Sequence, residues 1–410
     1  MKTLAIIGSG IAGMGCAHYL HKKYDVTIYE KNDYVGGHTN TVTIDEDGNP
    51  VHIDTGFMVF NHVTYPLLTQ LFKELNVVTK KTDMSFSVQH LPSGLEYSGS
   101  GLNGLFAQRK NIFSSKHIAM LKQINRFNSE SIKILDDPKY ANYSLEQYVK
   151  EMNFGDDMFQ KYLVPMSSAV WSTPMDLMLK FPAVTLVRFF KNHGFLGLNT
   201  QHQWYTVVNG SKSYRDKISE PVKNKIEVNN AAVQVIRENG KATVISKNGT
   251  RKEFDKVIIA CHADEALQLL SQPTSDEERL LKIFHYQENI ATLHTDESVM
   301  PKLKRVWSSW NYRIGTNAQP STIYWMNSLQ HVSKKKNYFV SINDHERIDT
   351  KKIIRQINYT HPLFDVDAMN AQKELSLLNK NGPVYFGGSY FRYGFHEDAL
   401  LSAYTLCQNL

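Results

Sequence analysis

The sequence predicts an α/β fold in which a parallel-sheet domain is interleaved with an α+β domain. A short apolar strand at Thr3–Ile7 runs straight into a glycine-rich loop and a helix, and a second strand follows at Asp25–Tyr29. Another apolar strand, Phe254–Ala260, lies far along the chain, and a strand–turn–helix unit begins at Val384. Because neighbouring parallel strands need long connections, these distant segments are expected to join one Rossmann-like sheet.

Length and composition fit a two-domain globular protein. At 410 residues the chain exceeds one compact core, and 42% of its residues are apolar. The strand pattern assigns residues 1–61, 205–265 and 375–410 to the parallel-sheet domain and residues 62–204 and 266–374 to the second domain. The sequence has no apolar run of membrane-spanning length and no signal-peptide pattern, so a cytoplasmic location is expected.

Charge and cysteine content argue against two classes of function. Lysine and arginine number 46 against 40 acidic residues, but the basic residues are scattered and form no nucleic-acid-binding motif. The surplus leaves open an anionic substrate, an anionic lipid surface or an ordinary soluble surface. Three cysteines lie far apart, with no CxxC pair and no histidine–cysteine cluster at metal spacing, so reduced thiols and no metal are expected.

The glycine loop has the spacing of a dinucleotide-binding turn. Gly8 allows the tight turn after the first strand, Gly10 lets the backbone approach a pyrophosphate, and Gly13 lets the helix pack on its strand. The following helix, predicted over Met14–Lys22, presents free N–H groups and a partial positive charge to phosphate. Cofactor contacts are therefore expected from Gly8, Gly10, Ile11, Ala12 and Gly13.

An acidic residue at the end of the second strand narrows the choice of cofactor. Glu30 lies 20 residues after Gly10, where a carboxylate can bind both ribose hydroxyls and repel a 2′-phosphate. NADP is therefore disfavoured, whereas the glycine loop by itself leaves NAD and FAD equal. A double glycine, Gly36-Gly37, then precedes His38 and Thr39. Because NAD binding does not need this second close backbone approach, FAD is the expected cofactor.

This segment resembles a family signature. Glu30 through Gly36-Gly37-His38 is similar to the ExxxxxGG(R/H) pattern of flavin-containing amine oxidases, phytoene desaturases and protoporphyrinogen oxidases. The resemblance implies a Rossmann-like, glutathione-reductase-like FAD-binding domain interleaved with an α+β substrate domain. It also implies that the double glycine passes the FAD pyrophosphate and that His38 steadies it. A histidine in place of the commoner arginine predicts a weaker or pH-dependent phosphate contact.

The resemblance extends the cofactor site to three further segments. Residues after the Asp54–Gly56 turn are implied to face the N5 and O4 edge of the flavin, and Val233 to pair with adenine through its backbone. At the C-terminus a glycine turn leads into a helix predicted from Ala399, whose N-terminus suits the negative charge on a reduced flavin. The further implied contacts are Lys31, Thr39, Gly56, Phe57, Met58, Val59, Val233, Gly388, Phe395, Glu397, Asp398 and Ala399.

Two residues of the C-terminal motif are candidates for catalysis. The matching motif puts His396 beside the flavin, and Tyr390 is a candidate for shaping the substrate pocket. The cysteine that anchors flavin covalently in some relatives has no counterpart near Gly387, and Cys407 lies too late in the terminal helix. Non-covalent FAD is therefore expected.

Longer strings indicate lipid chemistry. GHTNTV, DTGFMVFNHVTYP and YGFHED resemble bacterial predicted FAD-binding oxidoreductases and the N-terminal flavin domain of plant cyclopropane fatty acid synthases. This implies an oxidoreductase whose flavin N5 accepts a hydride from an apolar small molecule, such as a lipid or fatty-acyl chain. The alternatives are amine oxidation, a redox-neutral isomerisation, and a non-catalytic FAD-bearing protein that assists a lipid-modifying partner enzyme. The strand predicted at Asn289–Asp296 lacks the lysine usual in amine oxidases, which counts against amine oxidation.

One apolar segment leaves membrane contact open. Phe181–Leu198 carries Arg188, Lys191 and His193 among phenylalanines. One interpretation is a lip that dips into a membrane to admit a lipid, which would make the protein membrane-peripheral. The other interpretation, which we favour, is a wall of the substrate domain.

Overall fold

A computed structural model describes residues 1–197, 200–315 and 320–410 of the chain. These residues contain the strands β1 (Lys2–Ile7), β2 (Tyr24–Tyr29), β3 (Thr41–Glu46), β4 (Asn49–Asp54), β5 (Phe60–Asn61), β6 (Thr79–Thr82), β7 (Phe86–His90), β8 (Leu95–Ser98), β9 (Trp204–Val207), β10 (Ile226–Glu227), β11 (Ala232–Glu238), β12 (Lys241–Ser246), β13 (Arg251–Phe254), β14 (Lys256–Ile259), β15 (His285–His294), β16 (Trp310–Ile314), β17 (Ser321–Trp325), β18 (Phe339–Ile342), β19 (Ile353–Leu363) and β20 (Val384–Phe386).

The α-helices are α1 (Ile11–Leu20), α2 (Pro66–Glu74), α3 (Gly101–Leu105), α4 (Ser115–Glu130), α5 (Leu145–Glu151), α6 (Asp156–Met158), α7 (Val164–Trp171), α8 (Met175–Met178), α9 (Ala183–His193), α10 (Lys212–Ser219), α11 (Ala263–Leu269), α12 (Ser275–Leu281), α13 (Met326–Leu329), α14 (Val366–Ala371) and α15 (His396–Cys407). A π-helical turn spans Phe159–Leu163, and 3₁₀ segments span Leu91–Ser93, Arg109–Phe113, Ser131–Asp136, Pro138–Tyr140, Glu220–Lys225, Glu297–Val299, Lys304–Val306, Thr350–Lys352, Gln372–Asn379 and Ser389–Phe391.

The N-terminal strand lies at the centre of a five-stranded sheet. The strand order is β10-β2-β1-β14-β20, and every pairing between neighbours is parallel. Ile6 of β1 pairs with Ile258 of β14, and both side chains are fully buried. Such uninterrupted apolar strands are typical of sheets that are covered on both faces. The Rossmann-like sheet predicted from the distant strand segments is confirmed.

The helix after the first glycine turn begins earlier than the sequence predicts. α1 starts at Ile11 rather than Met14, so its first turn forms inside the glycine loop. A Cβ at Gly13 would lie 1.9 Å from Gly8 O, so only glycine allows this close packing of helix on strand. The prediction for the role of Gly13 is consistent with this contact.

The C-terminal helix also begins earlier, at His396 rather than Ala399. Its N-cap residue, Phe395, donates its backbone N–H to the Asp398 carboxylate at 2.9 Å. This contact closes the first turn around the motif residues, because a carboxylate three residues into a helix satisfies an N–H at the helix start.

The second domain is built on a seven-stranded sheet with the order β19-β15-β18-β17-β16-β7-β8. Neighbouring strands are antiparallel except for β16 and β7. Tyr148 of α5 and Leu186 and Phe190 of α9 are fully buried in the core shared with this domain. The combination of a parallel sheet with a mixed sheet and helices confirms the predicted α/β class with an α+β second domain.

The domain boundaries predicted from the sequence remain a prediction. All five strands of the parallel sheet fall within residues 1–61, 205–265 and 375–410. A small sheet, β5-β9-β6, nevertheless joins strands from both sides of those limits. A sharp boundary near residues 61 and 204 would cut through this sheet.

The segment 181–198 forms an interior wall over the part that the structure describes. Phe181, Leu186, Val187, Phe189 and Phe190 are buried, whereas Arg188 and Lys191 are exposed. The alternative of a membrane-inserting lip fails here, because the apolar side chains are already packed inside the protein; Leu198 lies outside the described residues. Within residues 1–197, 200–315 and 320–410, no helix is both long and apolar enough to cross a membrane.

Candidate functional site

A cavity of about 1120 Å³ connects the two domains. It runs from the glycine loop between β1 and α1, past residues 36–38 and 56–59, to an aromatic region formed by the second domain. Nineteen of the residues predicted for the site line it: Gly8, Gly10, Ile11, Ala12, Glu30, Lys31, Gly36, Gly37, His38, Gly56, Phe57, Met58, Val59, Val233, Gly388, Tyr390, Phe395, His396 and Ala399. The sequence pattern therefore identifies one continuous surface from segments far apart in the chain.

The glycines of the first loop differ in what surrounds them. Gly8 has a φ of +98°, and a Cβ there would lie 2.8 Å from Ala260 O. Gly13 is equally confined by the backbone of its own loop. Gly10 is different, because a Cβ at this position would meet no protein atom within 4 Å and Gly10 lines the cavity. The absence of its side chain leaves room for a ligand rather than for another part of the protein.

Glu30 is held rigidly at the end of β2. Its Oε2 accepts hydrogen bonds from the Ser9 backbone N–H at 3.0 Å and the Ser9 hydroxyl at 2.5 Å, and its Oε1 accepts from the Asn32 N–H at 2.8 Å. The buried carboxylate keeps unused acceptor capacity, since each oxygen has two lone pairs. The neighbouring Lys31 pairs with Glu265 of α11 at the same end of the cavity.

The double glycine brings a second stretch of backbone against the first loop. Gly36 and Gly37 have φ values of +117° and +57°, in the left-handed region that favours glycine. A Cβ at Gly37 would lie 3.3 Å from the Gly10 Cα, so the two loops nearly touch. Two backbones that converge without side chains form a cradle for a phosphate-bearing group.

His38 follows this cradle and packs among aromatic rings. Its ring stacks on Tyr359 with centroids 4.7 Å apart and lies 5.1 Å from the ring of His361. Burial, reinforced by the nearby histidines His361, His262 and His396, holds the pKa of His38 well below its usual range. Its Nε2 is buried and has no partner among the residues described. A neutral ring with a spare nitrogen suits a hydrogen bond to a ligand, not a charge–charge contact.

The backbone of residues 56–59 is held by a buried network centred on Asp54. Asp54 accepts hydrogen bonds from the Ser211 N–H and hydroxyl and, at 2.7 Å, from the Gln330 Nε2. Gln330 also donates to the Met58 carbonyl, to which the Thr206 hydroxyl donates at 2.8 Å. Burial raises the pKa of Asp54, and these donors oppose that rise. The network fixes the segment that the sequence assigns to the flavin edge.

Sequence reasoning missed this network and a second one on the opposite wall. Asn289 of β15 donates its Nδ2 to the Nδ1 of His361 at 2.8 Å, and its Oδ1 accepts from Asn343 at 2.7 Å. An acceptor at Nδ1 leaves the proton of neutral His361 on Nε2. Burial lowers the pKa of His361 to about 4, so the ring is neutral at physiological pH. No local motif marks these residues, because the pairing depends on the register of β15 and β19.

The start of α15 completes the cavity wall with Phe395, His396 and Ala399. Glu397 and Asp398, predicted to offer backbone contacts, do not line the cavity. The Glu397 carboxylate turns away and accepts the N–H groups of Leu67 and Leu68 at the start of α2, at 2.9 and 3.0 Å. Burial raises the pKa of Asp398 to about 7, although the Phe395 N–H opposes the rise.

The two candidate catalytic side chains, His396 and Tyr390, line the cavity and also pack against other side chains of the protein. His396 stacks on Phe57 with centroids 3.9 Å apart, and its Nε2 hydrogen-bonds to the Tyr214 hydroxyl and, at 3.3 Å, to that of Thr39. Thr39 itself therefore lies behind the cavity rather than in its wall. Burial lowers the pKa of His396 to about 3, so the ring is neutral. This is an anchoring geometry more than an acid–base one.

Tyr390 lies in the cavity wall next to the glycine turn. Its ring packs against Phe284 at 5.3 Å and Phe391 at 4.9 Å. Its hydroxyl is buried without a hydrogen-bond partner in the part of the chain that the structure describes. Burial raises the pKa of Tyr390 well above its usual range, so the phenol stays protonated.

The far end of the cavity, which we call the aromatic compartment, carries no charged side chain among its described residues. Its wall consists of Tyr65, Met84, Phe86, Met166, Val170, Trp171, Ser172, Phe189, Phe195, Gln201, Trp204, Trp310 and Tyr324. Phe189 joins the compartment to α15 by stacking on Phe395 at 4.9 Å. Of the acidic and lysine side chains that line the cavity, Glu30, Lys31 and Glu265 belong to its polar end. Glu288 of β15 pairs in register with Thr360 of β19, whose hydroxyl is hydrogen-bonded to His262 beside Glu265. The cavity thus has one polar end and one apolar end.

Comparison with known proteins identifies a family and a fold. The sequence profile of the family described as flavin containing amine oxidoreductase matches residues 11–357. The chain is similar to the 1-hydroxycarotenoid 3,4-desaturase of Flavobacterium sp. (strain P99-3), with 27% identity over 204 residues. That alignment covers 42% of this chain and 41% of the desaturase, so the chain spans less than half the length of this relative.

Two solved structures share the fold over the whole chain. One is a wild-type putrescine oxidase bound to putrescine, with a TM-score of 0.70 and 15% identity, covering 100% of this chain and 98% of that one. The other is a fatty acid isomerase from P. acnes that produces CLA, with a TM-score of 0.69 and 12% identity over the same shares of the two chains. Because these neighbours act on unlike molecules, the likeness shows the fold alone.

Proposed function

The chain belongs to the flavin containing amine oxidoreductase family, and from that premise we propose that it binds FAD without a covalent bond and oxidises an apolar, lipid or fatty-acyl, substrate. The family makes it a flavin-dependent oxidoreductase. The identity of the flavin, the mode of attachment and the class of substrate are the parts that we propose.

FAD rather than a smaller flavin is supported by the polar end of the cavity. Gly10 and Gly37 converge on open space at the start of α1, as a pyrophosphate requires, and Glu30 Oε1 keeps one free lone pair for a ribose hydroxyl. The spare nitrogen of His38 supports a further hydrogen bond to the phosphates. Val233, at a bulge in β11, lines the same end of the cavity and suits the adenine.

Non-covalent attachment is supported by the state of the cysteines. Cys16 and Cys407 are buried, and Cys261 is the one cysteine among the described residues that lines the cavity. Burial raises the pKa of the Cys261 thiol, which disfavours the thiolate needed for attack on a flavin. Acid precipitation of the purified protein should therefore release all of the yellow colour into the supernatant. Colour that stays in the pellet would contradict this part of the proposal.

The single observation that carries the substrate class is the lack of charge in the aromatic compartment. An ammonium group buried there would have no carboxylate in the described wall to offset its desolvation, which is costly. An acyl chain, by contrast, gains free energy from every methylene that it buries. The similarity to a carotenoid desaturase supports the same class, since that relative is named for a long apolar molecule.

When bound, FAD would supply the two-electron acceptor for a hydride from the substrate. The chain's own residues position and insulate that reaction. The Asp54 network holds the backbone of residues 56–59, and the N-terminus of α15 offers a partial positive charge for the charge that reduction creates. The aromatic compartment excludes water and orients an apolar chain. The neutral ring of His396 fixes the first turn of α15 through Tyr214.

Anaerobic mixing with a panel of substrates tests this function. Fatty acids, acyl esters and carotenoids should bleach the flavin absorbance near 450 nm, whereas primary amines should leave it unchanged. Rapid bleaching by amines alone would overturn the proposal in favour of amine oxidation. Conversion of double-bond position without net bleaching would instead indicate a redox-neutral isomerase, and lipid binding without either change would indicate an accessory protein.

A matched pair of variants ties the result to the aromatic compartment. Val170→Phe adds a ring inside the compartment and should shorten the longest acyl chain that reduces the flavin. Val63→Phe adds the same ring at a side chain that is 62% exposed and should leave the chain-length profile unchanged. Identical profiles for both variants would mean that the acyl chain lies elsewhere.

A further inference from the structure

Three apolar side chains protrude from one short stretch of the second domain. Leu102 on α3 is 74% exposed, and Ile112 and Phe113 in the 3₁₀ segment Arg109–Phe113 are 46% and 90% exposed. Single exposed apolar residues are ordinary on a protein surface. Three of them within 12 residues of sequence, one a phenylalanine with almost its whole ring in solvent, are not.

The stretch that carries these side chains is held in place. The Arg109 guanidinium donates to the Asn103 side chain at 2.5 Å and to the Phe106 carbonyl at 2.9 Å, which ties the 3₁₀ segment to α3. His117 at the start of α4 is hydrogen-bonded through Nε2 to the Leu105 carbonyl at 2.9 Å. The protruding side chains are therefore displayed by a fixed scaffold rather than by a loose loop.

The same stretch concentrates positive charge. Residues 97–129 contain five basic residues and no aspartate or glutamate, although the whole chain has a net charge of only +6. The five are Arg109, Lys110, Lys116, Lys122 and Arg126. Among the residues that the structure describes, Arg126 alone of these five forms a salt bridge, to Glu130 at 3.0 Å. The other four form no salt bridge with the described residues, so the stretch that carries the apolar tip is positively charged.

A groove of about 640 Å³ lies beside the tip. Phe106 lines the groove together with residues of α4, namely Ile118, Leu121, Lys122, Asn125, Arg126, Ser129 and Glu130. The Phe106 ring packs on His117 with centroids 5.5 Å apart, so the groove is continuous with the scaffold of the tip. Arg126 is neutralised there by Glu130, so Lys122 is the cation of the groove without a salt bridge among the described residues. Apolar side chains next to this cation suit the junction between an acyl chain and an anionic headgroup.

We propose that this surface, formed by Leu102, Ile112 and Phe113 with the surrounding cations, docks the protein on an anionic lipid bilayer. Exposed apolar side chains enter the interfacial layer, and cations nearby are attracted to acidic headgroups, which is the combination that peripheral binding requires. A second copy of the chain fits less well, because a two-fold contact would place this positive surface against itself. The inference stands independently of the redox chemistry, although it would bring an apolar substrate close to the enzyme.

Sedimentation with vesicles of defined composition tests the docking. The flavin-loaded protein should bind phosphatidylcholine vesicles that contain about 30% phosphatidylglycerol, bind pure phosphatidylcholine weakly, and detach at about 1 M salt. Lys110→Ala with Lys116→Ala should weaken binding by about fivefold for each cation removed. Ile112→Ser with Phe113→Ser should weaken it by at least tenfold, because the apolar insertion is lost.

Two control variants make the result specific to this surface. Val78→Ser removes an apolar side chain that is 67% exposed elsewhere, and Lys334→Ala with Lys336→Ala removes two exposed cations elsewhere. Both should bind vesicles like the unaltered chain. The proposal is overturned if the surface variants bind no more weakly than these controls, or if pure phosphatidylcholine binds equally well. It is also overturned if Phe113→Ser dissociates a dimer in analytical ultracentrifugation, since the occupant would then be a second copy.

Discussion

Gly10 and Gly13 offer a paired substitution that separates ligand binding from folding. At Gly10 the backbone has a φ of −64° and a ψ of 177°, which alanine adopts readily, and a Cβ would meet no protein atom within 4 Å. Gly10→Ala should therefore leave the fold intact and raise its stability by about 0.4–1 kcal/mol, because alanine restricts the unfolded chain. At Gly13 a Cβ would lie 1.9 Å from Gly8 O and 3.0 Å from Gly8 C.

The expected magnitudes follow from these distances. In Gly13→Ala the backbone must move by more than an ångström, an overpacking that costs about 3 kcal/mol, and Tm should fall by about 5 °C or more. In Gly10→Ala the methyl group occupies space that the proposed pyrophosphate needs. A similar cost of about 1–3 kcal/mol then appears in binding instead of folding, as a weakening of FAD affinity by about fivefold to a hundredfold.

Thermal unfolding of the flavin-free protein and fluorescence titration with FAD measure the two quantities separately. Gly155→Ala is a control, since a Cβ there also meets nothing within 4 Å, its φ of −70° and ψ of 147° suit alanine, and Gly155 lies outside the cavity. If Gly10→Ala binds FAD as tightly as the unaltered chain, the pyrophosphate does not pass Gly10 and the assignment of the polar end of the cavity fails. If Gly10→Ala unfolds like Gly13→Ala, the open space beside Gly10 is not real.

Three further outcomes follow from the buried polar groups. Asp54→Asn places an amide donor among the groups of Ser211 and Gln330 that donate to Asp54. The free energy of unfolding in urea should therefore fall by about 2–3 kcal/mol. Asp45→Asn, at an exposed site, is the control and should change this free energy little. The pKa of Asp398 is raised to about 7, so the folded state holds this proton more tightly than the unfolded chain does. The resulting contribution to the free energy of unfolding is complete below about pH 4 and is lost as the pH rises from about 4 to about 7. Asp398→Asn should remove this pH dependence from the unfolding free energy. The pKa of His396 is lowered to about 3, so its ring stays neutral between about pH 5 and 9. His396→Gln should therefore leave the pH profile of flavin reduction unchanged over this range. If the variant lost an ionisation near pH 6–7 that the unaltered chain shows, the neutral, anchoring role of the ring would be contradicted.

The parts of the site that could be predicted are those that a local chain pattern determines. Gly8, Gly10 and Gly13 must stand at fixed spacing in one turn, and Glu30 must end the next strand, so a short stretch of sequence shows both. The predicted helix starts were late because Gly13 and Asp398 shape the first turns through contacts that helix propensity does not describe. The centre of the parallel sheet was predictable for a related reason, since β1 and β14 carry uninterrupted apolar runs at residues 4–7 and 257–259.

The contacts that could not be predicted join residues that lie far apart in the sequence. The network that holds the backbone of residues 56–59 draws Asp54 from β4, Ser211 from the turn before α10, and Gln330 from the end of α13. The contact between Asn289 and His361 depends on the register of two long strands. Each residue taken alone is an ordinary polar side chain, so only the fold reveals that they converge.

The polar end and the apolar end of the cavity come from different parts of this chain. The groups that would hold the cofactor, Gly10, Glu30 and His38, belong to the parallel-sheet domain and its loops, whereas the wall of the aromatic compartment comes mostly from the second domain. A putrescine oxidase and a fatty acid isomerase share this fold although their names point to unlike molecules, so the fold by itself does not determine the substrate. In this chain the described wall offers no charge to hold an ammonium group, and the surface around Phe113 offers cations to a bilayer. Val170→Asp should consequently weaken acyl-chain oxidation without loss of FAD, because Val170 lies in the wall of the aromatic compartment and is not one of the residues proposed to hold the cofactor.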